Sequence, residues 1–222
     1  MPAVFVTSTG TDIGKTFVTA GLIRHLRNAG RAVSAIKPVV SGFDPEAPLA
    51  SDPGVLLTAL GQPVTPEEIE RISPWRFKAA LAPAVAARRE DRAIDFRALV
   101  QFSQRGISRD STLLIEGVGG VMVPLDDRHT VIDWISALRV PVIVVAGSYL
   151  GTISHTLTAL HVLAQRNLST AAVVVNGSSE SPMPLEETVE IIARFTDDVI
   201  ALPRLEAGTQ AHPAFSALAA LL

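Results

Sequence analysis

The sequence predicts an α/β protein with a mostly parallel central sheet of about seven strands, helices on both faces, and a phosphate-loop nucleotide fold. Three observations carry this expectation. Short runs rich in valine and isoleucine alternate with longer amphipathic runs along the 222 residues, the rhythm of parallel βαβ units. Those short runs do not alternate apolar with polar, which is how strands buried on both faces read. A polar, glycine-containing loop ending in Gly14-Lys15-Thr16 joins the first run to a helical pattern, the context in which backbone N–H groups cradle phosphate.

The strand-like runs are 3–7, 32–38, 112–116, 142–146, 171–176 and 199–203. Helical patterns fall between and after them, at 15–29, 52–60, 81–89, 96–104, 131–137, 152–165, 185–195 and 213–222. Ligands of such sheets sit outside the carboxyl ends of the strands. The residues to inspect are therefore 8–16, 37–42, 116–120, 147–152, 176–178 and 203–208. Residues 43–53 read as a long loop, a length often tied to function.

Composition narrows the function classes. A length of 222 residues with 48% hydrophobic content suits one domain over 1–222 with a sizeable core. A net charge of -3 and scattered arginines argue against a broad grip on nucleic acid. The chain has no cysteine, which excludes disulfides, thiolate nucleophiles, iron–sulfur clusters and cysteine zinc sites. No signal peptide is read at the N-terminus, and apolar runs such as 140–147 are too short for a bilayer. A cytoplasmic protein with no membrane partner is the expectation. The five histidines show no metal-ligand spacing with carboxylates, and no G-x-S-x-G element appears. Only three lysines occur, Lys15, Lys37 and Lys78; two of them fall in the segments that look functional, where a compact ammonium donor has a use.

The loop itself departs from the strict pattern. G-x-x-x-x-G-K-[ST] wants glycine where Thr9 stands. The physics still fits. Ser8-Thr9-Gly10-Thr11-Asp12 is a polar loop with one glycine, Gly14 permits close approach of backbone to phosphate, and Phe17 onward continues as a helix whose free N–H groups face the loop. Lys15 suits the β- and γ-phosphates, and the Thr16 hydroxyl suits Mg²⁺.

Other strand ends add candidates. Glu116 closes an apolar run and precedes Gly117-Val118-Gly119-Gly120; a strand-end acid helps hold Mg²⁺ in phosphate-loop proteins. Lys37, in Lys37-Pro38-Val39-Val40-Ser41-Gly42, is placed to neutralise charge in phosphoryl transfer, and Ser41 suits a polar substrate. Ser51 or Asp52 reads equally as a helix N-cap, with Asp52 as a second metal-side acid the other reading. Asn176-Gly177 is either a turn or a reader of the adenine edge. Pro203, Arg204 and Leu205 follow the last strand and suit an apolar wall for a base.

Together these motifs resemble the dethiobiotin synthetase family over nearly the whole chain. Lys37-Pro38-Val39 with Ser41-Gly42 is similar to its K-P-V-x-S-G. Glu116-Gly117-Val118-Gly119-Gly120 is similar to its E-G-A-G-G. Leu150-Gly151-Thr152-Ile153-Ser154-His155 is similar to its L-G-x-I-N-H helix start. The family loop, roughly G-T-D-T-x-V-G-K-T, places a glycine where this chain has Ser8, and Tyr149 stands where some members carry lysine. The resemblance implies an ATP- and Mg²⁺-dependent carboxylase and cyclo-ligase of the biotin pathway. It joins 7,8-diaminononanoate and CO₂ into dethiobiotin as a homodimer. It implies catalytic roles for Lys37, Lys15 and Thr11, metal ligation by Thr16, Asp52 and Glu116, and substrate contacts from Ser41, Gly151, Thr152 and Ile153. ATP would meet 12–17, Asp52, 116–119, Asn176, Gly177 and 203–205. The alternative is a partitioning-type switch ATPase of the same fold. That class marks itself with a second lysine early in the loop, and residues 7–13 contain none.

Overall fold

The computed structural model describes residues 2–205 and 211–222. Its main sheet has six strands, all pairs parallel, in the order β2-β5-β1-β6-β7-β8. These are β1 (Ala3–Ser8), β2 (Val33–Ile36), β5 (Thr112–Gly120), β6 (Val142–Ala146), β7 (Thr170–Asn176) and β8 (Val199–Leu202). A separate parallel pair joins β3 (Val39–Ser41) and β4 (Trp75–Phe77). The helices are α1 (Lys15–Asn28), α2 (Asp52–Leu60), α3 (Pro66–Ile72), α4 (Pro83–Arg89), α5 (Phe96–Arg105), α6 (Val131–Leu138), α7 (Thr152–Gln165), α8 (Leu185–Ala193) and α9 (Pro213–Ala220).

The expected count of about seven strands in one sheet is thus corrected to six plus a pair. Each of the six strand-like runs supplies one strand of the main sheet, and Pro38 sets where the second run stops. It has no N–H to give a ladder, so the apolar run 32–38 breaks there. β2 ends at Ile36, and the chain restarts as β3 against β4, outside the main sheet. In the other direction β5 outruns its expected end at Glu116 and carries the glycine-rich stretch to Gly120 as strand. The loop at 43–53 contains a 3₁₀ turn, Pro48–Ala50. Residues 206–208, expected beyond the last strand, lie outside the described residues.

β1 and β6 are buried along their whole length, as expected of central strands with helices on both faces. Beneath them Phe5 meets Trp134 edge-on at 4.8 Å, a favoured aromatic geometry, and Trp134 Nε1 donates to Ser103 Oγ at 3.1 Å. The strand order reverses direction at β1, flanked by β5 and β6. That is the switch point where α/β sheets leave a crevice beyond their carboxyl ends. Among the described residues no helix is long and apolar enough to cross a membrane.

α6 shows how local chemistry fixes an element. Asp133 Oδ2 accepts from Thr130 N and from Thr130 Oγ1, both at 2.8 Å, a capping-box arrangement. Arg166 Nη2 approaches Asp133 at 3.2 Å. Burial works to raise the Asp133 pKa, but the Thr130 bonds and Arg166 outweigh it and hold the carboxyl below its usual range. A depressed folded pKa gives stability that is present above the unfolded value and lost as pH falls through the folded one. Asp133→Asn is therefore expected to cost roughly 0.3–1.5 kcal/mol at neutral pH. The gap to the parent protein should close as pH drops below the carboxylate range. Chemical denaturation at several pH values checks this; a gap unchanged at acid pH contradicts it.

Candidate active site

The site is assembled from the ends of β1, β2 and β5 and the starts of α1 and α2. Gly14 turns the loop into α1 with φ 97°, a left-handed value glycine adopts without strain. A Cβ there would lie 2.4 Å from Asn176 Nδ2. Asn176 Nδ2 donates to Ile13 O at 2.9 Å, so the β7 end holds the loop directly. Lys15 is buried, and its Nζ donates to Ser8 Oγ at 3.1 Å and Gly10 O at 3.4 Å. Burial, and then the neighbouring charge of Lys37, push its pKa down to about 8, against the opposing pull of Glu116, Asp52 and Asp12.

The β2–β5 register places the next pair. Ile36 faces Ile115, so Lys37 and Glu116 follow side by side. Lys37 Nζ donates to Glu116 Oε1 at 2.8 Å and to Gly117 O at 2.6 Å, and lies 3.2 Å from Asp52 Oδ2. Lys37 is 2% exposed and Glu116 0%. Burial works to lower the Lys37 pKa, but Glu116 and Asp52 outweigh it and raise it. Asp52 moves the other way: burial opposes, while Lys37 and the Thr16 hydroxyl bring it down.

The two readings of this segment fall on neighbouring residues, the cap on Ser51 and the site-facing acid on Asp52. Ser51 Oγ takes the N-cap bond from Gly54 N at 3.3 Å, which leaves the Asp52 carboxylate free to face the site. The Pro48–Ala50 turn packs against this helix start because Gly54 has no side chain; a Cβ would come 2.0 Å from Pro48 O. Thr16 Oγ1 then lies 2.9 Å from Asp52 Oδ1 and 2.7 Å from Glu116 Oε1.

Three hard oxygen donors therefore converge. Glu116 Oε2 is buried with no hydrogen-bond partner, an atom a cation would satisfy. Among the described residues no group of three or more acidic or histidine side chains is arranged to hold a metal ion. Two carboxylates and a hydroxyl suit Mg²⁺, which keeps waters and shares phosphate oxygens instead of filling an all-protein cage.

A cavity of about 680 Å³ opens over these groups. Thr11, Asp12, Gly14, Lys15, Thr16, Lys37, Ser41 and Asp52 all line it, as do Val118 and Gly119. Ser41 Oγ is buried and has no partner. Asn176 and Gly177 join this group through the loop, and Gly177 abuts the chain at Arg204, whose N would lie 2.8 Å from an added Cβ. Pro203 and Leu205 flank that contact. Phe17 points elsewhere: its ring packs on Phe215 at 6.3 Å. Gly151, Thr152 and Ile153 do not line the cavity. They border a separate groove with Leu150, Leu157 and Phe195. Sequence reasoning missed the apolar wall of the cavity, Leu81, Pro83 and Val123. The β3–β4 pair brings it close, and three-residue strands leave no readable period.

The fold, the loop and the acidic pair define a phosphate-loop nucleotide-binding protein. The sequence matches a family model described as an AAA domain over residues 2–208. In structure it is similar to the septum site-determining protein MinD complexed with Mg-ADP from Pyrococcus horikoshii OT3. That match has a TM-score of 0.57 at 18% identity and covers 98% of this chain and 93% of that one. A ParA family ATPase from Chlorobium tepidum TLS gives 0.54 at 16% identity, covering 100% and 91%. At such identities the likeness shows the fold alone. Sequence relatives go further. The chain is 48% identical to the ATP-dependent dethiobiotin synthetase BioD of Acidiphilium cryptum (strain JF-5), over 87% of this chain and 88% of that protein. It is 49% identical to that of Phenylobacterium zucineum (strain HLK1), over 99% and 96%. The chain belongs to the ATP-dependent dethiobiotin synthetase family.

Gly14→Ala tests the loop geometry. It should weaken Mg-ADP binding by about tenfold or more, since 1.4 kcal/mol of strain and lost Asn176 contact suffices. Calorimetric titration beside the parent protein checks this, and an unchanged Kd contradicts it.

Proposed function

We propose that this chain forms dethiobiotin from 7,8-diaminononanoate, CO₂ and ATP, with release of ADP and phosphate. The observation that carries the proposal is the buried Lys37–Glu116 pair joined to Asp52 and Thr16 at the mouth of the phosphate loop. Family membership supplies the substrates.

One amine of the substrate forms an N–C bond to CO₂ and loses a proton, giving a carbamate. A carbamate oxygen attacks the γ-phosphorus of ATP; the new O–P bond forms as the bond to ADP breaks. The second amine attacks the carbonyl of this carbamic–phosphoric anhydride and loses a proton as phosphate departs. No protein nucleophile is needed, in keeping with a chain without cysteine. The difficulty is electrostatic, because a carbamate must approach a polyphosphate. Fixed positive groups aimed at that charge are the usual remedy.

Lys15 lies at the loop for the β- and γ-phosphates. Lys37 remains cationic between two carboxylates and faces the same cavity, ready to stabilise the carbamate and the transferring phosphoryl group. Thr11 and Ser41 orient the reacting amines. Thr16, Asp52 and Glu116 would hold Mg²⁺, which when bound supplies positive charge against the phosphate oxygens. The ATP chain follows residues 12–17 and 116–119, and the base lies toward Asn176, Gly177 and Pro203–Leu205. In that path Phe17 contributes backbone only. Asn176 keeps Oδ1 for the adenine amino group while Nδ2 holds Ile13.

We infer that the working unit is a homodimer in which Gly151, Thr152 and Ile153 serve the partner's cavity. The groove they border exposes Leu150 and Phe195, and the uncapped start of α7 suits a substrate carboxylate. One cytoplasmic domain over 1–222 carries the activity. The switch-ATPase alternative gains nothing beyond the shared fold.

The test is labelled bicarbonate with Mg-ATP and 7,8-diaminononanoate. Acid-stable label should appear in step with ADP. ADP without fixed label would overturn the proposed reaction. Lys37→Ala should lower turnover by at least about a hundredfold, the scale of one lost transition-state donor, with ATP binding retained; full activity would remove Lys37 from the mechanism.

A further inference from the structure

Ser8 stands where the family loop has its first glycine, and the structure gives its hydroxyl four neighbours. Ser8 closes β1 and is fully buried. Its Oγ accepts from Lys15 Nζ at 3.1 Å and from Gly10 N at 3.4 Å. It donates to Gly119 O at 3.0 Å or to Gly10 O. A hydroxyl has one proton and two lone pairs, so these contacts use its capacity in full. The only other hydrogen bond of Lys15 Nζ among the described residues is the 3.4 Å contact to Gly10 O, at the long end of the useful range.

The second strand of the junction matters as much. Ser8 lies opposite Gly120 where the β1–β5 register shifts, just after Val6 pairs with Glu116. The Ser8–Gly119 bond therefore ties the root of the phosphate loop to the glycine-rich end of β5, a few residues beyond the acid. A glycine at position 8 offers neither that tie nor an acceptor for the ammonium.

We infer that Ser8 is a positioning residue: its hydroxyl sets Lys15 against the loop and couples that lysine to the Glu116–Gly120 strand end. This rests on the nucleotide reading of the loop. Ser8 Oγ and Gly10 O take two of the three ammonium protons and leave the third for phosphate. Fixing a long side chain in advance spares ligand binding the cost of ordering it. Ser8 acts through Lys15 and touches no reacting atom.

A double-mutant cycle tests it. Binding of the non-hydrolysable analogue AMP-PNP with Mg²⁺ is measured for the parent protein, Ser8→Ala, Lys15→Ala and the double variant. Ser8→Ala should weaken binding about five- to tenfold with Lys15 present, the scale of one hydrogen bond to a charged group. It should have little effect in the Lys15→Ala background, since coupled residues are non-additive. Ser8→Thr, which keeps the hydroxyl, should recover the loss. Equal losses in both backgrounds, or parent affinity in Ser8→Ala, overturn the inference. Should Ser8→Ala fold poorly, Ser8→Gly replaces it in the same cycle with the same expectations. Failure of the parent protein itself to bind AMP-PNP would overturn the nucleotide reading, and the inference with it.

Discussion

The site depends on one buried ion pair. Lys37 and Glu116 lie 2.8 Å apart, out of solvent. Burying two charges is costly unless they are paired and their remaining hydrogen-bonding capacity is met. Parallel pairing of β2 with β5 aligns the two residues one step past Ile36 and Ile115. The backbone of Lys37 is fixed in turn, with its N–H on Ile72 O at 3.0 Å and its O accepting from Ser73 Oγ at 2.6 Å. Asp52 and Thr16 then add to a centre already fixed. Removing either member of the pair strands its partner's charge in the interior. The chain accepts that vulnerability in order to hold an ammonium and a carboxylate side by side at the base of the cavity.

This arrangement also separates function from fold. The MinD protein and the ParA family ATPase share the fold at under 20% identity, and a shared fold hosts many functions. The groups that carry chemistry in this chain lie at or beside strand ends. A lysine before proline follows β2, an unpartnered Ser41 hydroxyl faces the cavity, and an acid inside β5 has one oxygen unsatisfied. They suit a reaction that joins anions without a protein nucleophile.

Much of this was legible in the sequence, for identifiable reasons. Central strands such as 3–7 and 142–146 read clearly because burial on both faces leaves unbroken apolar runs. Lys37 and Glu116 stood out as polar residues at the ends of such runs, and Lys15 and Thr16 as the end of a phosphate-loop pattern. The β3–β4 pair was not legible, because strands of three residues carry too few positions to show a period, and α3 was not expected from the sequence. Asp52 was ambiguous because Ser51 and Asp52 can both cap a helix; only the 3.3 Å bond from Gly54 to Ser51 assigns the cap. Ser8 looked like a defect in a pattern, since its value lies in contacts with Lys15 and Gly119 that only folding creates. Gly151–Ile153 fall outside the cavity and border a separate groove, a separation that sequence order alone does not reveal.

The most direct measurement follows oxygen. With ¹⁸O-labelled CO₂, Mg-ATP and 7,8-diaminononanoate under rapid quench, attack by a carbamate oxygen on the γ-phosphorus carries one labelled oxygen into the released phosphate. The expected result is phosphate with one ¹⁸O per ring closed. Unlabelled phosphate accompanying ring closure would mean that phosphoryl transfer to the carbamate does not occur, and the centre around Lys37 and Glu116 would need a different chemical role.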